Sequence, residues 1–326
     1  MAKTTLIIDG TNEFVRHWTA NPKLSQNGPV GGIFSFIRSL GNLCMRINPS
    51  EVFICWDGEG GSVQRRTLFK EYKAGRKPIK PNRNYEYTEE EHKENRLWQM
   101  AVLKKILDHA PICQIEIPGV EADDIVAYLA NDTYSETNNA VLIVSSDKDF
   151  YQLTNKKVMV YRPFSQEVLD GKDVFEKTGV HPRNFALYRA LVGGDSSDNI
   201  KGVKGIGEKT AFKMFPFLGD DRDITIDEII DYAKERIDKG KLFIRVRDSL
   251  ESIQLNYQIM QLYSPLINLQ MVEDLEAQRE DNDWEFHQSK MEGDLLKTDI
   301  TDIVDLENFT RAMRFLSKRQ KEAHSE

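Results

Sequence analysis

Short apolar runs alternate with amphipathic segments along the first half of the chain. The runs are bounded by polar or turn-forming residues and predict buried strands at 5–9, 52–57, 112–117, 140–147 and 158–161. Apolar positions that recur every three or four residues predict helices at 31–47, 88–110 and 120–131. Strands that alternate with helices form βαβ units, so we expect an α/β fold with a mostly parallel central sheet flanked by helices.

The second half of the chain has a different pattern. From about residue 173 it is mostly helical, with helices predicted at 183–192, 208–215, 225–237 and 250–262. We therefore expect an α/β core over residues 1–180 and a helical region over residues 181–326. The polar residues after Ser317 are expected to fray at the C-terminus.

The composition is that of a folded protein. The chain has 326 residues, of which 40% are hydrophobic and 29% are charged, and no stretch approaches the roughly 18 continuous apolar residues of a membrane span. The three cysteines show neither zinc-ligand spacing nor a disulfide framework. The N-terminus lacks the features of a cleavable signal. These features predict a soluble, cytoplasmic protein.

Nine acidic residues are predicted to meet at one edge of the sheet. Some follow predicted strands, and in a parallel sheet the carboxyl ends of the strands form the edge where ligands bind. Others open the helix predicted at 120–131, and a pair three residues apart would share one face of a helical turn. The nine are Asp9, Asp57, Glu121, Asp123, Asp124, Asp147, Asp149, Asp195 and Asp198.

Each of these acids also has an ordinary structural explanation. An aspartate after a strand is usually a turn residue or a helix cap, and acids in a first helical turn complement the helix dipole. A group of nine is harder to explain in this way, because the carboxylates would repel each other or take up protons. Two hard divalent cations such as Mg²⁺, which prefer oxygen ligands, would relieve the repulsion. The pattern therefore predicts a metal site.

A basic segment follows the strand that ends at Asp57. Residues 64–83 include one acid, Glu71, and eight basic residues, although the whole chain has a net charge of −8. The basic residues are Arg65, Arg66, Lys70, Lys73, Arg76, Lys77, Lys80 and Arg83. Phe69 and Tyr72 lie among them, and cationic and aromatic side chains together suit a single strand or an exposed end of a nucleic acid. The alternative is a solvated charged loop.

A glycine-rich segment, Gly202-Val203-Lys204-Gly205-Ile206-Gly207-Glu208-Lys209-Thr210, lies between two predicted helices. It departs from the dinucleotide-binding pattern, because no strand precedes it and Thr210 occupies the position of the third glycine. A helix-hairpin-helix that contacts a phosphate backbone through its amides fits better, with Lys201, Lys204 and Lys209 adding charge. Such contacts carry no sequence information. An ordinary interhelical turn is the alternative.

Together these motifs resemble the 5′-nuclease superfamily, which includes flap endonucleases, phage 5′-exonucleases and phage ribonuclease H. The chain looks especially like the 5′-nuclease domain of bacterial DNA polymerase I. The matching stretches are Ile8-Asp9-Gly10, Trp56-Asp57, Tyr72-Lys73-Ala74-Gly75-Arg76, Gly119 to Asp124, Ser146-Asp147-Lys148-Asp149, Tyr188 to Leu191, Asp195 to Asn199 and Gly202 to Ala211. They occur in the family's order, and no family motif is identified beyond Phe215.

The resemblance implies a PIN-like 5′-nuclease core, a basic arch over the site at about 64–110, and a helix-three-turn-helix DNA grip at about 183–217. It implies that the nine carboxylates bind two Mg²⁺ ions, for which Mn²⁺ can substitute, and that Lys73 and Arg76 are the catalytic basic pair. It also implies a K⁺ ion at the 202–207 hairpin. The residues expected to contact DNA are Arg65, Arg66, Lys70, Tyr72, Lys201, Gly202, Lys204, Gly205, Gly207, Lys209 and Thr210.

The expected function is a stand-alone, structure-specific 5′ nuclease with 5′-3′ exonuclease and flap endonuclease activity. Its substrates would be DNA with 5′ ends, flaps or nicks, and RNA–DNA hybrids such as primers. We expect a monomer without membrane association in a bacterial or phage-infected cell, and a replication protein such as single-strand-binding protein as partner. One alternative is a non-catalytic DNA-structure-binding protein on the same fold, which would need gaps in the carboxylate set. A PIN-like ribonuclease would leave the glycine hairpin unexplained.

The segment at 308–321 has two interpretations. Its apolar residues recur at roughly helical spacing, its other residues include five bases, and it contains no acid. Such a helix could dock on an acidic protein or on duplex DNA. Alternatively, it is a terminal helix that packs on its own domain. The apolar residues are Phe309, Met313, Phe315 and Leu316.

Overall fold

The computed structural model describes residues 3–26, 28–79, 81, 86–137, 139–195, 197–297 and 306–323. A six-stranded sheet has the order β5-β4-β1-β6-β7-β8 and is parallel except for β8, which runs antiparallel to β7. A small antiparallel pair, β2 and β3, lies apart from it. The strands are β1 (Thr4–Asp9), β2 (Leu24–Ser25), β3 (Gly28–Pro29), β4 (Glu51–Trp56), β5 (Cys113–Glu116), β6 (Ala140–Val144), β7 (Val158–Arg162) and β8 (Glu167–Leu169). The predicted mostly parallel sheet is confirmed.

Helices cover both faces of the sheet and make up most of the chain after β8. They are α1 (Gly10–Ala20), α2 (Gly31–Ile47), α3 (Val63–Leu68), α4 (Glu89–Leu107), α5 (Ala122–Thr137), α6 (Gly171–Thr178), α7 (Phe185–Val192), α8 (Glu208–Met214), α9 (Ile226–Lys234), α10 (Lys241–Arg247), α11 (Leu250–Met260), α12 (Leu269–Glu280), α13 (Gln288–Lys297) and α14 (Leu306–Ala323). The sequence pattern missed α1 and α3. It also extended the fourth strand to Asp147, whereas β6 ends at Val144. None of the described helices is both long and apolar enough to cross a membrane.

Alternating strand residues divide the interior into two hydrophobic cores. In β1, Ile7 belongs to the core that α5 and the helical second half cover, whereas Leu6 and Ile8 belong to the core on the opposite face. The first core continues without interruption to Phe215 and Ile253. The α/β half and the helical half therefore share one interior.

Close packing at the carboxyl end of β1 brings α1 against the neighbouring strand. A Cβ at Gly10 would lie 2.6 Å from Ile54 Cγ2 and 2.9 Å from the carbonyl oxygen of Cys55. Only glycine allows the chain to pass from β1 directly into α1 at this point. The acid before it, Asp9, is thereby held at the edge of the sheet.

The C-terminal helix α14 packs along α2. Phe309, Met313 and Leu316 are buried in the core that α2 covers, and a Cβ at Gly41 would lie 2.8 Å from Phe309 Cα. Near its end, Gln320 is buried and donates to the backbone carbonyl of Ser50. The apolar side of α14 is therefore core. The expectation of fraying directly after Ser317 is wrong, because the helix continues to Ala323.

Removal of most of α14 by truncation after Asn308 should lower the melting temperature by about 10 °C or more, because three large buried apolar side chains are lost. Each large apolar side chain lost contributes about 1.5–3 kcal/mol, and about 1 kcal/mol corresponds to roughly 2–4 °C in a chain of this size. Two point variants provide a matched test by calorimetry. Met313→Asp should destabilise strongly, because Met313 is fully buried, whereas Phe315→Asp should change little, because Phe315 is 48% exposed. Equal melting temperatures for the two variants would contradict the packing role of α14.

Candidate functional site

Asp9 and Asp57 lie at the carboxyl ends of neighbouring strands, and backbone amides hold both. Asp9 Oδ1 accepts from the Asn12 amide at 3.1 Å, and its Oδ2 accepts from Ser145 Oγ at 2.9 Å. Asp57 Oδ1 accepts from the Ala122 amide, the first residue of α5, at 2.8 Å. The two carboxylates thus cap helices, which is the ordinary structural role of an aspartate that follows a strand. They also lie at the same edge of the sheet.

Asp147 and Asp149 follow β6 in a tight turn. Asp147 Oδ1 accepts from the Asp149 amide at 2.7 Å, and the Asp147 amide donates to Ser145 Oγ at 3.1 Å. Ser145 therefore links the end of β6 to Asp9, since its hydroxyl donates to Asp9. The pair of aspartates comes to lie beside the acids of β1 and α5.

Arg189 connects these acids to the helical half of the chain. It is buried in α7, and its Nε donates to Asp149 Oδ1 at 2.7 Å, while its Nη2 lies 3.3 Å from Asp195 Oδ1. No role was predicted for Arg189 from the sequence. A signal was present, because Arg189 is the only charged residue in α7, which is otherwise apolar except for a tyrosine.

Asp195 and Asp198 lie in a hairpin between residues 193 and 202. Gly193, with φ +96°, ends α7 and forms an antiparallel bridge with Lys201. The Asp198 amide donates to the Asp195 carbonyl at 2.9 Å, so the two acids stand at the two ends of one turn. Within this hairpin the Gly194 amide donates to Ile200 O at 3.0 Å.

Glu121 is the point at which the basic segment contacts the acidic edge. Lys73 Nζ lies 2.6 Å from Glu121 Oε1, and the Tyr72 hydroxyl donates to Oε2 at 3.0 Å. Arg65 Nη1 lies 2.9 Å from Oε2. Burial alone would raise the pKa of Glu121, but Lys73 and Arg65 outweigh it and hold the pKa below its usual value.

Arg65 and Asp124 form a buried ion pair. Arg65 Nη1 and Nη2 donate to the two oxygens of Asp124 at 2.5 and 3.1 Å, and Arg65 Nε donates to Ile259 O at 3.0 Å. Asp124 Oδ1 also accepts from the Leu266 amide at 2.9 Å. This burial does not support the prediction that Arg65 contacts DNA. The buried Tyr72 ring is likewise unavailable for stacking on a base.

Arg66, Lys70 and Arg76 of the same segment are on the surface. Arg66 and Lys70 are exposed, and Arg76 donates to Asp198 Oδ1 and, at 3.3 Å, to Ser197 O. Lys80 and Arg83 lie outside the described residues. The helix α3, which was not predicted in this segment, turns Arg65 inward and Arg66 outward.

The glycine hairpin at 202–207 exposes charged side chains to solvent and packs on the hydrophobic core through apolar side chains. Lys201, Lys204 and Lys209 are exposed, whereas Val203 and Ile206 are buried in the shared core. A Cβ at Gly202 would lie 2.2 Å from the Val192 carbonyl carbon, so this glycine permits the chain to pack on the end of α7. Gly205 (φ +90°) and Gly207 are exposed, and Thr210 is half-buried.

The remaining acids repel one another. Burial, followed by the effect of neighbouring carboxylates, raises the pKa of Asp9 to about 8 and that of Asp149 to about 7. The same two causes raise the pKa of Asp123 well above its usual value. Burial also raises the pKa of Asp147. These are hard oxygen donors whose negative charge is not fully compensated by nearby cations, which is the environment that a divalent cation suits.

The donor set fits a metal in its chemistry and in its common location at one edge of the sheet. Among the described residues, no three His, Cys, Asp or Glu side chains are already gathered closely enough to hold an ion. Asp9, Asp123, Asp147 and Asp149 are the acids with raised pKa values, whereas Glu121 and Asp124 are paired with Lys73 and Arg65.

Comparisons with known proteins agree with this geometry. The 5′-3′ exonuclease N-terminal resolvase-like domain matches residues 4–179, and the 5′-3′ exonuclease C-terminal SAM fold matches residues 180–283. The second match extends the family likeness beyond Phe215, where the sequence analysis identified no motif.

Individual relatives cover the chain to different extents. A 5′-3′ exonuclease of Aquifex aeolicus is 32% identical over 285 residues, which make up 86% of this chain and 88% of that protein. The thermostable DNA polymerase I of Thermus thermophilus is 30% identical over 278 residues, which make up 84% of this chain but only 31% of the polymerase. The bacteriophage T5 D15 flap endonuclease, solved in a complex with DNA and metal ions, has a TM-score of 0.65 at 22% identity and covers 90% of this chain and 98% of its own.

The structural likeness shows a common fold, and the family models and the sequence relatives show descent. The N-terminal family model alone spans more than half of the chain, and the Aquifex relative aligns with most of both proteins. The chain therefore belongs to the 5′-3′ exonuclease family.

Proposed function

We propose that this protein is a structure-specific 5′ nuclease that hydrolyses phosphodiester bonds at or near 5′ ends with the help of two divalent cations. The observation that carries the proposal is the meeting of Asp9, Asp123, Asp147 and Asp149 with Lys73 at one edge of the sheet. Its cellular role would be the removal of 5′ flaps or RNA primers during replication.

The chain's own residues would perform three tasks. Asp9, Asp123, Asp147 and Asp149 would hold the cations, because their oxygens are the ones without a cationic partner strong enough to keep the pKa low. Bound Mg²⁺ would lower the pKa of a water molecule and stabilise the departing oxygen. Lys73, only partly exposed beside Glu121, would donate to the scissile phosphate as negative charge develops there.

Substrate binding would rest on the surface next to this edge. The exposed Lys201, Lys204 and Lys209 and the accessible hairpin backbone suit nonspecific contact with a phosphate backbone. We retain the 202–207 hairpin as the predicted K⁺ site. Arg66 and Lys70 would contact the strand near the 5′ end, and Arg76 remains the proposed catalytic partner of Lys73. We reassign Arg65 and Tyr72 to positioning Glu121.

Asp124 has the contacts of a structural residue. Both of its oxygens accept from Arg65, and one of them also accepts from the Leu266 amide, so we propose that it orients the start of α5 and does not bind a cation. Asp195 and Asp198 pair with Arg189 and Arg76, respectively. Both acids remain candidate cation ligands, because Asp149 also contacts Arg189 and its pKa nevertheless stays raised.

The activity can be tested on one gel. A 5′-flap duplex, a blunt duplex and an RNA–DNA hybrid, each incubated with Mg²⁺ or with EDTA, should show cleavage near the 5′ end only with Mg²⁺. A non-catalytic DNA-binding protein would shift the flap substrate in a native gel and leave all three intact. That result would overturn the proposed function.

Asp147→Asn and Asp124→Asn should separate a metal-binding carboxylate from a structural one. Asp147→Asn should abolish cleavage while binding of flap DNA in Ca²⁺ changes by only a few-fold. In EDTA its melting temperature should stay the same or rise, because burial raises the pKa of Asp147 and the ionised form costs free energy. Asp124→Asn should destabilise the protein by about 3–5 kcal/mol, because it leaves Arg65 buried without its charge partner.

Two results would contradict these assignments. Near-normal turnover by Asp147→Asn would exclude it as a cation ligand. An unchanged melting temperature for Asp124→Asn, together with loss of cleavage, would return Asp124 to the set of metal ligands.

Lys73→Ala should slow single-turnover cleavage by roughly 10²–10³-fold, the scale of losing one preorganised charge donor. Lys172→Ala is a suitable control, because Lys172 lies in α6 with its side chain 80% exposed. This variant should cleave the flap at the wild-type rate and keep the wild-type stability. If the two variants cleave the flap at the same rate, Lys73 has no role in cleavage.

A further inference from the structure

Asn199 joins the basic segment to the hairpin that carries two of the acids. Its Nδ2 donates to the backbone carbonyls of Glu71 and Ala74, both at 2.8 Å. Asn199 belongs to the C-terminal family match, whereas the two carbonyls belong to the N-terminal one. The side-chain amide of Asn199 therefore bonds to both ends of the turn formed by residues 71–74.

Further contacts run in parallel with this amide. The Lys73 amide donates to Asp198 O at 3.2 Å, and Arg76 Nε donates to Ser197 O at 3.3 Å. Tyr72 and Ile200 pack in one small apolar cluster with Ile259 and Met260. The basic turn is thus fastened to the hairpin through backbone, side-chain and apolar contacts.

The turn needs such support because its backbone is strained. Lys73 has φ +54°, a left-handed conformation that costs free energy for a residue with a side chain and persists only where surrounding contacts enforce it. Gly75, with φ +64°, accepts the same region without cost. Released from Asn199, residues 71–76 would relax towards ordinary conformations, and the long Lys73 side chain would leave Glu121.

We propose that Asn199 is a positioning residue that holds the 71–76 turn so that Lys73 lies at the acidic edge. The proposal rests on the proposed function of Lys73 in cleavage. Asn199 itself acts through the backbone of the turn, and its amide has no role in the chemistry. The helical half of the chain would in this way control the placement of a catalytic group that belongs to the α/β half.

The variant Asn199→Gly removes the amide without straining the backbone. Asn199 has φ +62°, which glycine adopts freely, so the loss is confined to the two hydrogen bonds. Asn48→Gly is the matched control. Asn48 also has a positive φ, 54°, but it follows α2 and precedes β4, at the edge of the sheet opposite the acids.

Two measurements test the proposal. Limited trypsin digestion followed by mass spectrometry reports cleavage after Lys73 and Arg76, which should become roughly 5- to 30-fold faster in Asn199→Gly, the scale for two exposed neutral hydrogen bonds. Single-turnover cleavage of a 5′ flap should slow by up to the same factor, since it follows the fraction of molecules in which the turn stays closed. In a Lys73→Ala/Arg76→Ala background the same substitution should cause no further loss of rate. Asn48→Gly should match the wild type in both measurements.

Each contrary result has a definite meaning. Unchanged tryptic cleavage after Lys73 and Arg76 would overturn the fastening role of Asn199. Faster digestion with an unchanged flap rate, or a rate loss that persists in the Lys73→Ala/Arg76→Ala background, would overturn its role in positioning Lys73. If the wild type cleaves no substrate, the proposed function fails, and the digestion experiment alone decides whether Asn199 holds the turn.

Discussion

Electrostatic repulsion among buried carboxylates is the constraint around which this protein is built. Bringing acids from β1, β4, α5 and the segment after β6 to one edge costs free energy, as the raised pKa values of Asp9, Asp123 and Asp149 indicate. The fold compensates part of that cost with buried cations. Arg65 neutralises Asp124, and Arg189 donates to Asp149. The acids whose pKa values stay raised, Asp149 among them despite its contact with Arg189, are the ones left for a metal ion.

One of the compensating cations, Arg189, comes from the helical half of the chain, so charge compensation at the acidic edge depends on contact between the two halves. Arg189 lies on α7, which packs on α11, and the Asn256 amide on α11 donates to Ala190 O at 3.0 Å and to Lys201 O at 2.9 Å. The same helix accepts from Arg65 through Ile259 O. Through these bonds α11 fixes the acidic hairpin, the arginine on α7 and the ion pair beneath α5 relative to each other.

The C-terminal helix serves a different part of the molecule. By packing along α2 it completes the core on the opposite face of the sheet, and its last turns bond to the backbone of Asn48 and Ser50 just before β4. Its apolar residues are thus used within the domain. The basic residues Arg311 and Lys318 remain exposed on its outer side, as expected for an amphipathic surface helix.

The sequence by itself determined the alternation of strands and helices, and with it the edge at which Asp9, Asp57 and Asp147 meet. These features follow from local periodicity and from the rule that parallel strands share a carboxyl edge, so neither requires knowledge of distant contacts. Tertiary structure alone decided which charges face inward. Arg65 and Arg66 are adjacent and chemically identical, yet Arg65 is buried against Asp124 and Arg66 is exposed. The difference arises because α11 supplies Ile259 O, 194 residues further along the chain, as a partner for Arg65. No local pattern in the basic segment contains that information.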